Sequence, residues 1–190
     1  MEQRTLGRTG LRVPVVGMGT WRTFDVHGDA AIKNAHTTVD TAFRVSANFF
    51  DSSPMYGAAE QVLAETLQGR REQALVATKV WASTRREGQA QVKRALSFFG
   101  SVIDLYQIHN LVDWQEHLVM LEQLRDDGNV RAIGATHYSS SAFAELRALM
   151  QTGRPVQHWD PQAPVHSSCE LWMMSRIAAE QGVDVGIESL

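Results

Sequence analysis

Residues 48–57 read Asn-Phe-Phe-Asp-Ser-Ser-Pro-Met-Tyr-Gly, and the rest of the chain is organised around this stretch. Its two phenylalanines form a short apolar run, which is followed at once by Asp51, a turn-forming proline and Tyr56. A buried strand that delivers a carboxylate and a phenol at its carboxyl end is the layout of a catalytic loop on a parallel α/β barrel. We therefore expect Asp51 and Tyr56 to belong to a functional site.

Two later strand patterns also end in a polar residue. Residues 74–78 run into Lys79, and residues 103–108 run into His109. Each such residue alone has an ordinary structural explanation, since an Asp often belongs to a turn and a strand-end Lys usually reaches solvent. Their joint occurrence at the ends of three successive strands favours a shared site, because the parallel strands of one barrel end at the same rim.

The composition is that of an ordinary globular protein. The chain has 190 residues, of which 44% are hydrophobic and 21% charged, with a net charge of −3. No long basic run is present, so nucleic acid and anionic membranes are not expected as partners. No stretch approaches the roughly 18 apolar residues of a membrane span, and no secretory signal is expected at the N-terminus. Cys169 is the only cysteine, which excludes an internal disulfide and favours a cytoplasmic location.

Strand and helix patterns alternate along the chain. A hairpin is predicted at residues 4–14, and the strict alternation that follows it, with short connections, is typical of a parallel sheet covered by helices. We expect a single domain over residues 1–190. The predicted strands cover residues 15–21, 45–51, 75–80, 102–108, 130–135, 155–159 and 183–187, and the predicted helices cover residues 30–43, 58–67, 88–99, 114–125, 141–150 and 170–181.

The strand ends decide between an open sheet and a closed barrel. An open doubly wound sheet usually carries a glycine-rich phosphate turn, and Gly-Met-Gly at residues 17–19 lacks the remaining glycine of that fingerprint. Functional residues at one end of consecutive strands fit a (β/α)8 barrel of the TIM type instead. A complete barrel takes about 250 residues. With about seven strands predicted, we expect an incomplete barrel that lacks the last strand and the C-terminal helices, and whose open edge favours self-association.

The four strand-end residues can form a proton-transfer set. A phenol ordinarily titrates near pH 10, and a neighbouring cation favours its ionised form. Lys79 can supply this charge to Tyr56, and Asp51 can hold the ammonium and offset the cost of burying it. His109 can donate a hydrogen bond to a carbonyl oxygen or join the proton relay. Such a cluster can protonate an oxygen while a cofactor brings hydride to the adjacent carbon, since no side chain supplies hydride itself.

Six stretches, in order and spacing, resemble the aldo/keto reductase family and cover the chain up to about residue 140. They read Arg-Thr-Leu-Gly-Arg-Thr-Gly-Leu at residues 4–11, Gly-Met-Gly-Thr-Trp at residues 17–21, Phe-Asp-Ser-Ser-Pro-Met-Tyr-Gly at residues 50–57, Ala-Thr-Lys at residues 77–79, Ile-Asp-Leu-Tyr-Gln-Ile-His at residues 103–109 and Ile-Gly-Ala-Thr-His-Tyr at residues 133–138.

The resemblance implies a (β/α)8 barrel that reduces a small aldehyde or ketone with NADPH. It implies that the N-terminal hairpin covers the N-terminal mouth of the barrel, and that Trp81 lies in the substrate pocket. It places the family's catalytic tetrad on Asp51, Tyr56, Lys79 and His109. It also implies cofactor contacts from Gly19, Thr20, Trp21, Asp51, Thr136, His137 and Gln157.

The likeness weakens toward the C-terminus, where residues 158–161 depart from the family pattern. The resemblance implies that the contacts to the pyrophosphate and the 2′-phosphate come after Leu190, so we expect a C-terminally truncated member with reduced cofactor affinity. Two alternatives stay open, namely a non-catalytic remnant acting as a binding or regulatory subunit, and a barrel completed by another chain. The spacing of His158, His166 and Cys169 fits no zinc pattern, so no metal is expected.

Overall fold

The computed structural model describes residues 1–6, 9–152 and 154. Within this part the chain alternates strand and helix, as the sequence predicts. The predicted strands at residues 155–159 and 183–187, the predicted helix at residues 170–181 and the candidate cofactor residue Gln157 lie outside the described residues.

A short antiparallel hairpin is followed by a five-stranded parallel sheet, whose strands β3 to β7 lie side by side in chain order. The strands are β1 (Gln3–Thr5), β2 (Arg12–Pro14), β3 (Met18–Gly19), β4 (Phe49–Asp51), β5 (Leu75–Val80), β6 (Ile103–His109) and β7 (Val130–Thr136). The helices are α1 (Asp29–Arg44), α2 (Ala59–Thr66), α3 (Arg85–Phe99), α4 (Trp114–Asp126) and α5 (Phe143–Gln151), with 3₁₀ turns at Arg71–Gln73 and Ser140–Ala142. Sequential parallel strands joined by helices are the repeating unit of an α/β barrel.

One face of the parallel sheet is apolar toward its N-terminal end and polar toward its C-terminal end. Side chains alternate between the faces of a strand, and the register sets Ala77 beside Leu105 and Lys79 beside Gln107. The apolar end packs against the hairpin, which confirms the predicted hairpin and leaves the polar residues at the opposite end of the strands. The buried cluster that joins hairpin and sheet consists of Leu6, Leu11, Val13, Phe49, Ala77, Leu105 and Ala132.

The helices and the opposite face of the sheet form the main core. Helix α1 buries Ala35, Val39 and Ala42, which recur at the helical spacing that predicts this helix. Fully burying an apolar side chain such as that of Val39 contributes about 1.5–3 kcal/mol relative to leaving it exposed. This packing fixes the ends of the strands, and with them the positions of the polar residues that follow.

The first two barrel strands are shorter than predicted. The strand expected over residues 15–21 is reduced to β3. The strand expected over residues 45–51 begins only at Phe49, because α1 continues to Arg44 and the chain then turns, with Val45 N–H bonded to Thr41 O and Ser46 at a φ of 61°. The barrel strands here are only as long as their pairing with a neighbour requires.

The starts of α1 and α3 also differ from the sequence expectation. Gly28 occupies the N-cap of α1, so Asp29 is the first helical residue and its charge favours the positive end of the helix dipole. Helix α3 begins at Arg85 rather than at residue 88. Its N-cap, Thr84, accepts a hydrogen bond from Glu87 N–H and donates one to Glu87 Oε2, a variant of the capping box.

Candidate active site

Lys79 and Asp51 meet at the C-terminal end of the sheet. They lie at the ends of the neighbouring strands β5 and β4, and Lys79 Nζ donates to Asp51 Oδ2 at 2.7 Å and to Ser52 O at 2.9 Å. The Lys79 side chain is 1% exposed and that of Asp51 is 17% exposed. A buried ammonium is costly unless it is paired and hydrogen-bonded. Asp51 and Ser52 O supply these partners.

Tyr56 reaches the same place from the loop after β4. Lys79 Nζ lies 5.0 Å from the centroid of the Tyr56 ring. The Tyr56 and His109 rings meet at 84°, with centroids 5.9 Å apart. Both side chains are buried. The structure thus brings together the four residues that the sequence predicts at three strand ends, and it sets a phenol beside an ammonium.

The loop that carries Tyr56 favours glycine at position 57. Tyr56 N–H donates to Ser53 O at 3.0 Å, and Asp25 Oδ1 accepts from Ala58 N–H at 2.9 Å. Gly57 lies between them with a φ of 58°, and a Cβ there would be 2.2 Å from Asp25 Oδ1. Both the backbone conformation and the close approach of Asp25 therefore favour a residue without a Cβ.

Gln107 belongs to the site and escapes the sequence prediction. Its Nε2 donates to Asp51 Oδ1 at 3.2 Å from the interior of β6. Gly134 pairs with Gln107 in the register, and a Cβ there would lie 3.2 Å from Gln107 Cγ, so this glycine leaves room for the glutamine side chain. A glutamine inside a buried strand is unusual, and this was the signal available in the sequence.

Ser53 is a second site residue that the sequence does not single out. Its Oγ lies 2.9 Å from His109 Nδ1, and both side chains are buried. A serine beside a proline in a loop carries the ordinary signal of a turn residue, so nothing local marks this one. The contact joins positions 56 residues apart and becomes visible only in the fold.

The loop after β3 contributes backbone and an aromatic surface to the site, while its Thr20 hydroxyl is bonded within the protein. Gly19 pairs with Asp51 in the register. The buried Thr20 hydroxyl contacts Asp51 O at 3.0 Å and Ser52 Oγ at 2.9 Å, so it is engaged within the protein. Trp21 is 60% exposed, and its ring centroid lies 6.2 Å from that of Tyr56. Of these three candidate cofactor residues, Trp21 offers the accessible surface.

The end of β7 offers two polar groups. Thr136 lies beside His109 in the register, and its buried Oγ1 has no hydrogen-bond partner among the described residues. The next residue, His137, accepts a hydrogen bond from Ser139 N–H at Nδ1, at 2.9 Å, so the neutral ring carries its proton on Nε2. A hydroxyl without a partner and an imidazole N–H are groups that can bind an amide, so these residues fit the carboxamide of a nicotinamide.

The loop that carries Trp81 is fastened to α3 by one side chain. Gln91 Oε1 accepts from Trp81 N–H at 2.8 Å, and Gln91 Nε2 donates to Trp81 O at 2.6 Å. The glutamine amide thus makes the two backbone hydrogen bonds to Trp81 that a neighbouring strand would otherwise make. Trp81, the residue expected in the substrate pocket, keeps a partly exposed side chain two positions after Lys79.

A buried carboxyl lies behind β5. Thr78 Oγ1 donates to Glu60 Oε1 at 2.6 Å. Burial raises the pKa of Glu60, while the hydrogen bond from Thr78 and the charges of Arg94 and Lys79 oppose this rise. Burial, and secondly the Glu60 charge, also raise the pKa of Tyr106 well above its ordinary value. The Tyr106 phenol therefore stays protonated and is unsuited to proton exchange near neutral pH.

Known proteins resemble this chain over most of its length. A sequence model of the family described as the aldo/keto reductase family matches residues 15–169. The chain belongs to the aldo/keto reductase family. The predicted family is confirmed, and the matched region contains all four residues of the candidate proton-transfer site.

Two curated proteins are similar to this aldo/keto reductase chain. Aldo-keto reductase YhdN of Bacillus subtilis (strain 168) is 27% identical over 171 residues, which cover 78% of this chain and 51% of that protein. L-galactose dehydrogenase of Arabidopsis thaliana is 33% identical over 156 residues, which cover 72% of this chain and 48% of that protein. The chain spans about half the length of the curated relatives it matches.

Solved structures confirm the barrel class of this aldo/keto reductase family member. PA4992 of Pseudomonas aeruginosa is 26% identical, with a TM-score of 0.68, and the match covers 78% of this chain and 64% of that one. The aldo-keto reductase of Klebsiella pneumoniae in complex with NADPH is 21% identical, with a TM-score of 0.61, and the match covers 76% of this chain and 54% of that one.

None of the helices in the described residues has the length and apolarity to cross a bilayer.

Proposed function

We propose that this chain carries the proton-transfer site of an NADPH-dependent oxidoreductase that reduces an aldehyde or a ketone to an alcohol. The observation that carries the proposal is the position of Lys79 Nζ, which is bonded to Asp51 at 2.7 Å and lies 5.0 Å from the Tyr56 ring centroid. A cation in this place favours release of the phenol proton, which is the task of the general acid.

The proposed reaction divides between the cofactor and the side chains. When bound, NADPH supplies a hydride to the carbonyl carbon. The Tyr56 hydroxyl gives its proton to the carbonyl oxygen, so that an alcohol forms and a phenolate remains. Lys79 stabilises this phenolate, Asp51 holds the ammonium in its charged form, and His109 donates a hydrogen bond to the substrate oxygen. The phenolate regains a proton from solvent before the next turnover.

The nicotinamide end of the cofactor is assigned to the loop ends of β3 and β7. Thr136 and His137 offer a hydroxyl and an N–H to the carboxamide, and the exposed Trp21 offers an aromatic surface. Gly19 and Thr20 shape the loop, and Gln157 is retained as a candidate third contact to the carboxamide. The NADPH complex of the Klebsiella pneumoniae relative supports the choice of cofactor.

Several further properties are part of the proposal. The whole chain, residues 1–190, is assigned to one barrel domain, with a small carbonyl compound as substrate and neither nucleic acid nor membrane as partner. A cytoplasmic location agrees with the single cysteine.

Pairing with a second chain through an open sheet edge is the proposed mode of self-association. Analytical ultracentrifugation tests that mode, since a strictly monomeric chain would exclude it.

Cofactor oxidation with a reactive aldehyde tests the function. Tyr56→Phe is expected to lower kcat/KM by at least about 100-fold, the lower range for loss of a general acid. Tyr106→Phe is the matched control, because it also removes a buried hydroxyl but one that has no hydrogen-bond partner among the described residues. Equal rates for Tyr56→Phe and the parent chain would refute catalysis by this site.

The alternative is a non-catalytic subunit with impaired cofactor binding. Calorimetric titration with NADPH separates the two functions. Saturable binding together with Tyr56-dependent turnover supports the reductase. Absence of saturable binding, together with absence of turnover, supports the binding or regulatory subunit.

A further inference from the structure

We propose that Ser53 is a positioning residue that fixes His109 in the neutral form with its proton on Nε2. The inference rests on the proposed function for its catalytic meaning, but its structural basis is independent of turnover. Ser53 Oγ and His109 Nδ1 lie 2.9 Å apart. Ser53 is 0% exposed and His109 is 1% exposed, so water does not compete for this hydrogen bond.

The direction of the bond follows from where the serine proton can go. Ser53 Oγ already accepts a hydrogen bond from Met55 N–H at 3.4 Å. Among the described residues, His109 Nδ1 is the acceptor recorded for the Ser53 hydroxyl. A buried hydroxyl whose proton has no acceptor is costly, so Ser53 donates to Nδ1. Nδ1 then holds a lone pair, and the neutral imidazole carries its proton on Nε2.

This tautomer is the one that the proposed reaction needs. A substrate carbonyl oxygen presents lone pairs, and therefore binds an N–H but not an unprotonated ring nitrogen. In the opposite tautomer His109 would set a lone pair against the substrate oxygen. The His109 ring is also limited sterically, because the Tyr56 ring lies 5.9 Å away at 84°. Ser53 thus acts on the substrate through His109, as a group that orients a functional imidazole.

The neighbouring serine provides a matched control. Ser52 is also buried, and its hydroxyl lies 2.9 Å from Thr20 Oγ1 on the other side of the loop. Ser52→Ala and Ser53→Ala therefore remove the same group from adjacent loop positions. Only Ser53→Ala removes the hydrogen bond recorded at His109 Nδ1.

The test is the tautomer of His109, measured on the full chain labelled with 15N-histidine by long-range 1H–15N correlation spectra. His109→Gln identifies the signals of this ring. The parent chain is expected to show an unprotonated Nδ1 and a protonated Nε2. Ser52→Ala and Ser53→Thr, which both keep a hydroxyl at position 53, should keep this pattern, whereas Ser53→Ala should give a mixture of both tautomers. A protonated Nδ1 in the parent chain, or an unchanged tautomer in Ser53→Ala, would overturn the proposal.

Kinetics then connects the tautomer to the reaction. Ser53→Ala is expected to lower kcat/KM about 3- to 10-fold, the loss that corresponds to one hydrogen bond, with the NADPH dissociation constant unchanged and with recovery in Ser53→Thr. A Ser53→Ala chain as active as the parent would contradict a role in the reaction. If the parent chain shows the expected tautomer but no turnover, the reductase proposal fails and the assignment of Ser53 to His109 stands.

Discussion

Lys79 and Asp51 form an ion pair that is almost closed to solvent, with 2.7 Å between Nζ and Oδ2. The pair exists because two neighbouring parallel strands end at the same rim and present these residues on the same face of the sheet. Asp51 receives a second hydrogen bond from Gln107, and Lys79 donates a second one to Ser52 O. Each charge therefore has more than one partner, which is the condition under which burial of an ion pair is tolerated.

Removing the ammonium should leave a partly buried carboxylate without its main partner. We expect Lys79→Met to lower the free energy of unfolding by about 3 kcal/mol, the lower range for breaking a buried ion pair, because Asp51 keeps the Gln107 hydrogen bond and some contact with solvent. Urea denaturation measures the loss. Lys93→Met is the matched control, because Lys93 is exposed on α3 and surface changes usually stay within about 0.5 kcal/mol.

The double variant Lys79→Met/Asp51→Asn distinguishes the charge interaction between the two residues from the packing that each side chain makes by itself. Removal of both charges should cost less than the sum of the two single changes, since neither partner is left charged and alone. Strict additivity would show that the two residues do not stabilise one another.

Glu60 makes the stability depend on pH. Because burial raises its pKa in the folded chain, the folded state holds this proton more tightly than the unfolded state. Its contribution to stability is therefore complete below its ordinary value of 4.5 and falls as the pH rises through the raised pKa. Glu60→Gln keeps an oxygen that can accept the Thr78 hydrogen bond but has no proton to lose. The stability of this variant relative to the parent should rise with pH above 4.5, by at most about 1.4 kcal/mol per pH unit.

Chemical denaturation at a series of pH values checks this prediction. The comparison has an internal control, because parent and variant are both neutral at this position below about pH 4, where the difference should be constant. A stability difference that stays flat from acid to neutral pH would contradict the raised pKa.

The order of the elements could be read from the sequence because their signals are local. The apolar run of residues 75–80 matches β5, and the run of residues 102–108 matches β6 to within one residue. Strand β4 is shorter than predicted, because its length is set by its pairing with β5 and by the turn at Val45 and Ser46. These are tertiary effects that a hydrophobic pattern does not contain.

The residues of the candidate site also differ in whether a local sequence pattern locates them. Asp51, Lys79 and His109 could be located because each lies at the end of a strand pattern. Ser53 carries no such mark, and the unusual glutamine inside a buried strand does not reveal which residue Gln107 contacts, because each acts through one side-chain hydrogen bond to a residue 56 positions away. Such contacts depend on the register between strands, which has no local signature. The structure therefore adds residues that contact the four candidate site residues.

Gln91 should control the mobility of the loop after β5. Gln91→Ala removes both hydrogen bonds to the Trp81 backbone, so we expect a cost of about 1–3 kcal/mol, as for two neutral hydrogen bonds. Hydrogen exchange at Trp81 N–H should become faster, since this amide loses its acceptor. Gln89→Ala on the exposed face of the same helix is the control. Equal exchange rates in the two variants would show that Gln91 does not hold the loop.

Gly57, in the Tyr56 loop, should tolerate a side chain poorly. Gly57→Ala places a methyl group 2.2 Å from Asp25 Oδ1, at a φ of 58° that disfavours any residue with a Cβ. Asp25 must then leave the Ala58 N–H that it accepts from. We expect a loss of about 3 kcal/mol, from left-handed backbone strain together with the loss of a hydrogen bond to a charged acceptor.

Comparison with Gly69→Ala separates the steric clash with Asp25 from the backbone strain of a left-handed conformation. Gly69 has a φ of 72°, but a Cβ there meets nothing within 4 Å, so this variant should lose only the backbone part, about 1–2 kcal/mol. Thermal unfolding measures both changes. Asp25→Ala combined with Gly57→Ala should cost less than the two single changes together, because the colliding carboxylate is gone. Equal losses for Gly57→Ala and Gly69→Ala would mean that Asp25 moves aside freely, and that the Tyr56 loop is held by other contacts.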